Sequence, residues 1–164
     1  MTIRFGILTL SDRSARGERE DTSGPALADL VRARGWSVIE QAILPDDENI
    51  IRAELVSWAD SGQFDIILTT GGTGFAPRDV TPEATRAIIQ REAPGLAEAM
   101  RADSLKKTAH AMLSRAVAGI RGRTLIINLP GSPKGAVENL QTVLPVLPHA
   151  IQLLSEDPNS EASH

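Results

Sequence analysis

Residues 64–81, FDIILTTGGTGFAPRDVT, join a short apolar run to a glycine-rich loop. The run at 64–68 is almost continuously apolar and rich in branched residues, which is typical of a strand buried on both faces of a parallel sheet. Three glycines and three threonines follow within the six residues 69–74. Glycine allows a ligand to approach the main chain, and successive exposed N–H groups suit a phosphate or a carboxylate. The stretch therefore predicts a buried strand that ends in a binding loop.

An acidic residue and a helix start follow this loop. Asp79 lies five residues after the last glycine, and Thr81-Pro82-Glu83 predicts a helix with Thr81 as its N-cap. The loop lacks the Gly-Lys-Ser/Thr of a P-loop and the GxGxxG spacing of a dinucleotide-binding turn. Taken alone, it is either a tight connection or a site for a phosphorylated ligand and its metal. Other acids and bases must converge on it to decide between the two.

Composition limits the class of protein. The 164 residues are 41% hydrophobic and 23% charged, which favours one globular domain, expected at 1–155 with a flexible tail at 156–164. A net charge of −4 and an aromatic share of 3% argue against nucleic-acid binding. The chain has no cysteine, so thiolate metal sites and cysteine nucleophiles are excluded. We see no signal peptide and no apolar run near the roughly 20 residues that span a bilayer, and we expect a cytoplasmic protein with no membrane association.

Alternating strand and helix patterns predict the fold. Three buried strands and one strand of alternating pattern, at 36–44, are expected, together with helices between them and a break near Pro145 and Pro148. The alternation predicts a three-layer α/β/α sandwich with a mostly parallel sheet. The expected strands are 3–10, 36–44, 64–68 and 124–128, and the expected helices are 24–34, 48–59, 82–91, 94–107 and 133–154. The periodicity of 111–120 is ambiguous, and we expect this segment to bring Ser114 and Arg115 to the carboxyl end of the sheet.

Polar groups follow several of these strands, and the carboxyl ends of strands carry the ligand groups in such folds. Ser11, Asp12 and Arg13 either hold a substrate or form a capped turn. One of the two acids Asp46 and Asp47 is expected to cap the next helix, which leaves the other free. The candidates for phosphate contact are Arg13, Arg78, Arg115 and Lys134. One edge of the sheet would then bring together three kinds of group: acids that suit Mg²⁺, loops that suit phosphates, and cations that neutralise the phosphates.

Six segments of the chain closely resemble one known family. They are LTLSDR, DTSGPAL, LPDDE, LTTGGTGFAPRDVTPEAT, MLSRAVAGI and TLIINLPGSPKGAVE, spread over about 7–154. Together they resemble the MogA/MoaB-type molybdopterin adenylyltransferases of molybdenum cofactor synthesis. The resemblance implies transfer of AMP from Mg-ATP to the terminal phosphate of molybdopterin, with release of pyrophosphate. It also implies a homotrimer and a hand-off to a separate molybdenum-insertion protein.

The resemblance also implies roles for individual residues. Asp46 and Asp79 would be the catalytic acids and the metal ligands. The nucleotide would contact Gly71, Gly72, Thr73, Gly74, Pro130, Gly131, Ser132 and Lys134. The pterin substrate would contact Thr9, Ser11, Asp12, Arg13, Ser114 and Arg115. No general base is required, because a phosphate dianion is already the nucleophile, so His110 and His149 are interpreted as structural.

Two other functions stay open at this point. One is a non-catalytic MoaB-like molybdopterin-binding or scaffold protein of the same family. The other is a generic nucleotide-binding or trimeric interaction module with the same fold. The acid in LPDDE favours the active enzyme over the first of these, and the absence of an ATP-dependent thermal shift with Mg²⁺ and pterin present would favour the second.

Overall fold

A six-stranded sheet lies at the centre of the computed structural model, which describes residues 2–156. The strands are β1 (Arg4–Leu10), β2 (Ser37–Leu44), β3 (Ile66–Thr70), β4 (Arg91–Glu92), β5 (Ala118–Arg121) and β6 (Thr124–Leu129). Their order is β2-β1-β3-β6-β5-β4, with parallel pairing from β2 to β6 and antiparallel pairing at β5 and β4. The predicted mostly parallel sheet is therefore confirmed.

The described part of the chain contains seven α-helices, and all but the first, a short one, pack on the two faces of this sheet. The helices are α1 (Asp12–Ala15), α2 (Ser23–Ala33), α3 (Glu48–Asp60), α4 (Thr81–Ile88), α5 (Pro94–Leu105), α6 (Pro133–Val143) and α7 (Leu147–Leu154). One apolar core lies between the sheet and α2, α5, α6 and α7, and a second lies between the sheet and α3 and α4. The three-layer α/β/α sandwich follows from these two cores. Within residues 2–156, each helix is too short or too polar to span a membrane.

The register of the parallel strands places several strand ends at one edge. Thr9 of β1 pairs with Thr70 of β3, Thr70 pairs with Leu129 of β6, and Leu10 pairs with Leu44 of β2. The chain leaves β1 toward β2 on one side and then crosses to β3 on the other. Such a reversal opens a crevice at the carboxyl ends of the two diverging strands. The loops that follow β1, β2, β3 and β6 therefore surround one crevice.

Several expected boundaries differ from the structure. After β1, Ser11 caps the short helix α1, which is longer than the capped turn expected at Ser11, Asp12 and Arg13. Thr81 is the first residue of α4 and not its cap, because its hydroxyl donates to the preceding loop. The helix then ends at Ile88, since residues 91–92 pair with β5. In α5, Met100 is buried and Leu105 is 46% exposed.

The C-terminal half departs from the expectations at two further points. The ambiguous segment 111–120 forms the end of a 3₁₀ turn, Ala109–Leu113, and the start of β5. The break expected near Pro145 and Pro148 is confirmed as a 3₁₀ turn, Leu144–Val146, between α6 and α7. Of the predicted tail at 156–164, only Glu156 lies among the described residues.

A buried asparagine connects the central strands to the helix that follows the glycine loop. Asn128 of β6 is fully buried, and its Nδ2 donates to Thr69 Oγ1 and to Thr85 Oγ1, each at 3.0 Å. Its Oδ1 accepts from the amide of Val117 at 3.2 Å. Because every polar atom of the amide group is used, the network fixes α4 relative to β3 and β6.

We expect Asn128→Ala to destabilise the fold, because it leaves the Val117 amide and two buried hydroxyls without a partner. The expected loss is about 2–4 kcal/mol of unfolding free energy, or a melting temperature lower by roughly 5–15 °C. Circular dichroism melts measure this directly. Asn49→Ala on the exposed face of α3 is the matched control and should melt like the wild type. Equal melting of the two variants would contradict the role assigned to the network.

Candidate functional site

A polar cavity of about 330 Å³ occupies the crevice at the carboxyl ends of the strands. We call it the first cavity. It contains the predicted residues Thr9, Ser11, Asp46, Gly71, Gly72, Asp79, Gly131 and Ser132. Four segments that are distant in the sequence, namely the ends of β1, β2, β3 and β6, are therefore brought together as expected for this fold.

The glycine loop, residues 71–74, is held by its carbonyl groups. Thr81 donates to the first two carbonyls, from Oγ1 to Gly71 at 2.9 Å and from its amide to Gly72 at 3.1 Å. Arg115 donates to the last two, from its amide to Thr73 and from Nε to Gly74, both at 2.8 Å. The last three amides of the loop make no hydrogen bond within the described part of the chain. A loop whose carbonyls face the protein and whose N–H groups remain available is suited to an anion.

Two positions in this loop require glycine for steric reasons. Gly71 has φ of 102° and Gly72 has φ of 69°, in the region that side chains disfavour. A Cβ atom on Gly71 would collide with the carbonyl oxygen of Leu10, and one on Gly72 would collide with Thr81 Oγ1. The loop therefore packs directly against β1 and α4, with no room for side chains.

The two adjacent acids after β2 have different roles. Asp47 caps α3, because its Oδ1 accepts from the amide of Ile50 at 3.1 Å. Asp46 instead exchanges hydrogen bonds with Asp12: its Oδ2 accepts from the Asp12 amide, and its own amide donates to Asp12 Oδ1, each at 3.0 Å. The expectation that only one of the two acids caps the helix is confirmed, and the other, Asp46, is hydrogen-bonded to Asp12 rather than free.

The second carboxylate oxygen of Asp46 is buried and unsatisfied. Asp46 Oδ1 has no hydrogen-bond partner among residues 2–156, and it would lie 3.3 Å from a Cβ atom on Gly72. Burial raises the pKa of Asp46, and the negative charges of Asp12 and Asp79 raise it further. A buried carboxylate oxygen without a donor is free to bind a cation that the chain itself does not supply.

Asp79 lies between the glycine loop and α4 in the sequence and lines the same cavity. Its Oδ2 accepts from the Ala76 amide at 3.0 Å and would lie 2.9 Å from a Cβ atom on Gly74. The described residues contain no cluster of three or more His, Cys, Asp or Glu that would hold a metal unaided. Two carboxylates beside a phosphate-binding loop fit Mg²⁺, which typically takes one or two carboxylates together with substrate phosphates.

The predicted cations do not line the first cavity. Arg78 is bound to Asp12 by two hydrogen bonds of 2.9 Å, which lower the pKa of Asp12. Arg13 and Lys134 are exposed, and neither lines the cavity. Arg115 is directed at the glycine loop and at Glu83. The cation that does line the cavity is Arg19.

Sequence reasoning missed Arg19, Asp21 and Ser23. Asp21 accepts from Thr9 Oγ1 at 2.8 Å and from the Gly24 amide at 3.0 Å, while Ser23 Oγ donates to the carbonyl of Gly131. The spacing of Asp21 three residues before Gly24 is a capping signal and was available in the sequence. Arg19 lies in a loop with many charges, where no spacing distinguishes one arginine from another.

A second cavity, also of about 330 Å³, adjoins the first at the glycine loop and at Ser132. Its surface is mostly apolar, and it contains the predicted residues Thr73, Gly74, Ser114, Pro130 and Ser132. Its charged residues are Arg101, Lys107 and Glu138, and Lys107 Nζ lies 3.2 Å from the Glu138 carboxylate. Thr9 and Ser11 therefore line one cavity and Ser114 lines the other, although the sequence placed all three at one end of a single pocket.

Comparison with known proteins points to one family. A family model described as a probable molybdopterin binding domain matches residues 6–149. The Drosophila melanogaster molybdenum cofactor synthesis protein cinnamon is 47% identical over 157 residues, which are 95% of this chain and 26% of cinnamon. A molybdopterin adenylyltransferase of Helicobacter pylori J99 is 43% identical over 155 residues, which are 93% of this chain and 88% of that protein. The chain thus spans about a quarter of cinnamon and most of the bacterial relative.

A solved structure has the same fold. The crystal structure of the molybdopterin biosynthesis enzyme MoaB from Thermus thermophilus superimposes with a TM-score of 0.89 at 54% sequence identity. The match covers 95% of this chain and 98% of the other.

We expect Asp46→Asn to raise the melting temperature at pH 8 by about 1–3 °C. The pKa of Asp46 is higher in the folded protein than in the unfolded chain, so the ionised carboxylate destabilises the fold at a pH above the folded-state pKa. This destabilisation disappears as the pH falls and Asp46 becomes protonated. Asparagine carries no charge and can still accept from the Asp12 amide. The gain should therefore be largest at alkaline pH and vanish in the acid range, which melts across a pH series measure.

Asp47→Asn is the control for this series, because asparagine caps a helix about as well as aspartate. It should show no such pH-dependent gain. If Asp46→Asn melted below the wild type at pH 8, the carboxylate would be stabilising and the electrostatic account would fail.

Proposed function

The chain belongs to the family of probable molybdopterin-binding domains, and from this we propose that it is a molybdopterin adenylyltransferase of molybdenum cofactor biosynthesis. It transfers AMP from Mg-ATP to the terminal phosphate of molybdopterin and releases pyrophosphate. The observation that carries the proposal is that Asp46 and Asp79 line the first cavity beside a glycine loop with free amides, and that this loop also borders the second cavity. Relatives named molybdopterin adenylyltransferase, 42–43% identical to this chain, support it.

The charges of the first cavity explain why the nucleotide would enter with a metal. Three carboxylates, those of Asp21, Asp46 and Asp79, face one guanidinium, that of Arg19. A bare triphosphate would be repelled by this balance of charge. Asp46 and Asp79 would hold Mg²⁺, which neutralises phosphate charge when it is bound. Arg19 and the free loop amides bind phosphate oxygens directly.

The division between the cavities suggests where each substrate binds. We place the triphosphate in the polar first cavity and the pterin in the more apolar second cavity beside Ser114. Thr9 and Ser11 then serve the nucleotide rather than the pterin. The glycine loop and Ser132 contact both cavities, so they hold the two reacting phosphates against each other.

The chemical step requires positioning more than proton transfer. An oxygen of the terminal phosphate of molybdopterin forms a bond to the α-phosphorus of ATP, and the bond from that phosphorus to the bridging oxygen breaks. Pyrophosphate carries away the electron pair. The attacking group is already an anion, so no side chain has to remove a proton. Alignment and charge neutralisation supply the rate enhancement.

A non-catalytic pterin-binding protein is the second candidate. It would need the second cavity alone, and would have no use for an unsatisfied carboxylate oxygen in the first. The buried Asp46 charge costs stability, so its presence favours catalysis.

We expect Asp46→Asn and Asp79→Asn each to lower the adenylylation rate by about 10²–10³-fold, since each removes a charge beside the phosphates. The assay follows adenylyl-molybdopterin from Mg-ATP and molybdopterin. Asp47→Asn keeps the helix cap and should retain wild-type activity. Full activity in both site variants would rule out the proposed catalytic role of the pair, and an inactive wild type would favour the non-catalytic candidate.

The proposal includes a homotrimer, as the resemblance implies. Exposed Ile39 and Ile43 on the edge strand β2 are 46% and 42% accessible in the isolated chain, which favours burial against a further copy. Sedimentation equilibrium should give about three times the chain mass of 17.5 kDa. A monomer across the micromolar range would refute this part.

The proposal also includes cytoplasmic localisation, where ATP is supplied, and transfer of the activated product to a molybdenum-insertion protein. An adenylylated phosphate is a reactive anhydride, so a protein that consumes it is expected to act next.

A further inference from the structure

We propose that Arg115 is a positioning residue, one that sets the glycine loop and Asp79 in their working geometry and does not touch either substrate. This inference rests on the proposed function, since it concerns how that site is held. It assigns Arg115 a different role from the phosphate contact that the sequence suggested.

The guanidinium of Arg115 makes four hydrogen bonds, all within the protein. Nε donates to the carbonyl of Gly74 at 2.8 Å, and Nη2 donates to the carbonyl of Asp79 at 2.7 Å. Nη1 and Nη2 donate to the two oxygens of Glu83 at 2.7 and 3.2 Å. The main-chain amide of Arg115 adds a bond of 2.8 Å to the carbonyl of Thr73.

These bonds join both ends of the turn that carries Asp79. Gly74 closes the glycine loop, and Asp79 follows four residues after Phe75. Because one guanidinium binds both carbonyls, it fixes the separation of the loop from the Asp79 main chain. The Asp79 carboxylate then adjoins Gly74, where it lines the first cavity. Arg115 itself lines neither cavity.

Glu83 fixes the guanidinium in turn. It lies in the first turn of α4, whose first residue, Thr81, holds the other two carbonyls of the loop. The hydrogen bonds between the two side chains lower the pKa of Glu83, so the pair stays ionised at neutral pH. One short helix therefore fixes the whole loop, directly through Thr81 and through Arg115 by way of Glu83.

Lysine cannot reproduce the hydrogen bonds of Arg115. Its ammonium is a point charge, whereas the planar guanidinium presents donors in fixed directions toward four acceptor oxygens. Arg115→Lys therefore keeps the charge but loses the geometry. A residue that merely attracted a substrate phosphate would tolerate this change far better.

The matched control is Arg121, which has the same chemistry at a distance from the site. It makes two hydrogen bonds to Asp60 at 3.0 and 3.1 Å, and it donates to the carbonyl of Ile88 at 2.9 Å. Arg121 is the last residue of β5 and contacts the C-terminal end of α4, away from the glycine loop. It lines neither of the two cavities. Arg121→Lys thus reports the general effect of losing such a pair on stability.

The experiment compares the wild type, Arg115→Lys and Arg121→Lys by calorimetric binding of a non-hydrolysable ATP analogue with Mg²⁺ and by steady-state adenylylation. For Arg115→Lys we expect nucleotide affinity to fall about tenfold and kcat to fall about 30–100-fold, because misplacement of about 1 Å costs this much. The KM for molybdopterin should rise as well, because Gly74 lines the second cavity, so the fall in kcat is the readout that separates a positioning role from a substrate contact. Faster amide hydrogen exchange in 71–79 should accompany the loss.

Three results would overturn the inference. Unchanged nucleotide affinity and kcat in Arg115→Lys would show that the loop does not depend on the guanidinium. A raised KM for molybdopterin with unchanged kcat would make Arg115 a substrate contact. An equal loss in Arg121→Lys would attribute the effect to general stability. A wild type without adenylylation activity would instead refute the proposed function, while the nucleotide-binding and exchange measurements would still test the loop.

Discussion

The site depends on the orientation of four peptide groups in the glycine loop. Their carbonyl oxygens are all bound by Thr81 and Arg115, so the amides of the last three residues have no partner in the described structure. A free loop could turn either face of its peptide groups toward a ligand, and the carbonyl face would repel a phosphate. Binding the carbonyls in advance removes this choice and the entropy that it would cost.

The same crevice concentrates negative charge, which opposes folding. Asp46 is buried against Asp12 and Asp79, and one of its oxygens has no donor. Asp12 is neutralised by Arg78, but nothing in residues 2–156 neutralises Asp46 in the same way. A residue that destabilises the fold while lining a cavity is typical of a functional site, where a ligand or metal supplies the missing partner.

The sequence predicted the fold and the strand ends, but not the partners of individual side chains. Buried strands have a clear pattern, and the order of strands and helices leaves few topologies. It also predicted that only one of Asp46 and Asp47 caps a helix, because a single cap position exists. It did not predict that Arg78 pairs with Asp12, 66 residues away, or that Arg115 binds the loop. Such long-range pairs leave no local sequence pattern. The sequence alone therefore does not distinguish an arginine that contacts the functional site from one that is exposed to solvent.

The two cavities explain why the structure uses so many groups to hold one loop. The polar cavity and the more apolar cavity adjoin at the glycine loop and at residues 130–132 after β6. Any two ligands that react across this boundary contact the glycine loop, so a small displacement of the loop affects both. Asn128 fixes α4 through Thr85, and α4 fixes the loop through Thr81 and Glu83. The buried network and the arginine pair therefore serve one geometric requirement, because neither has to contact a ligand for the alignment to depend on it.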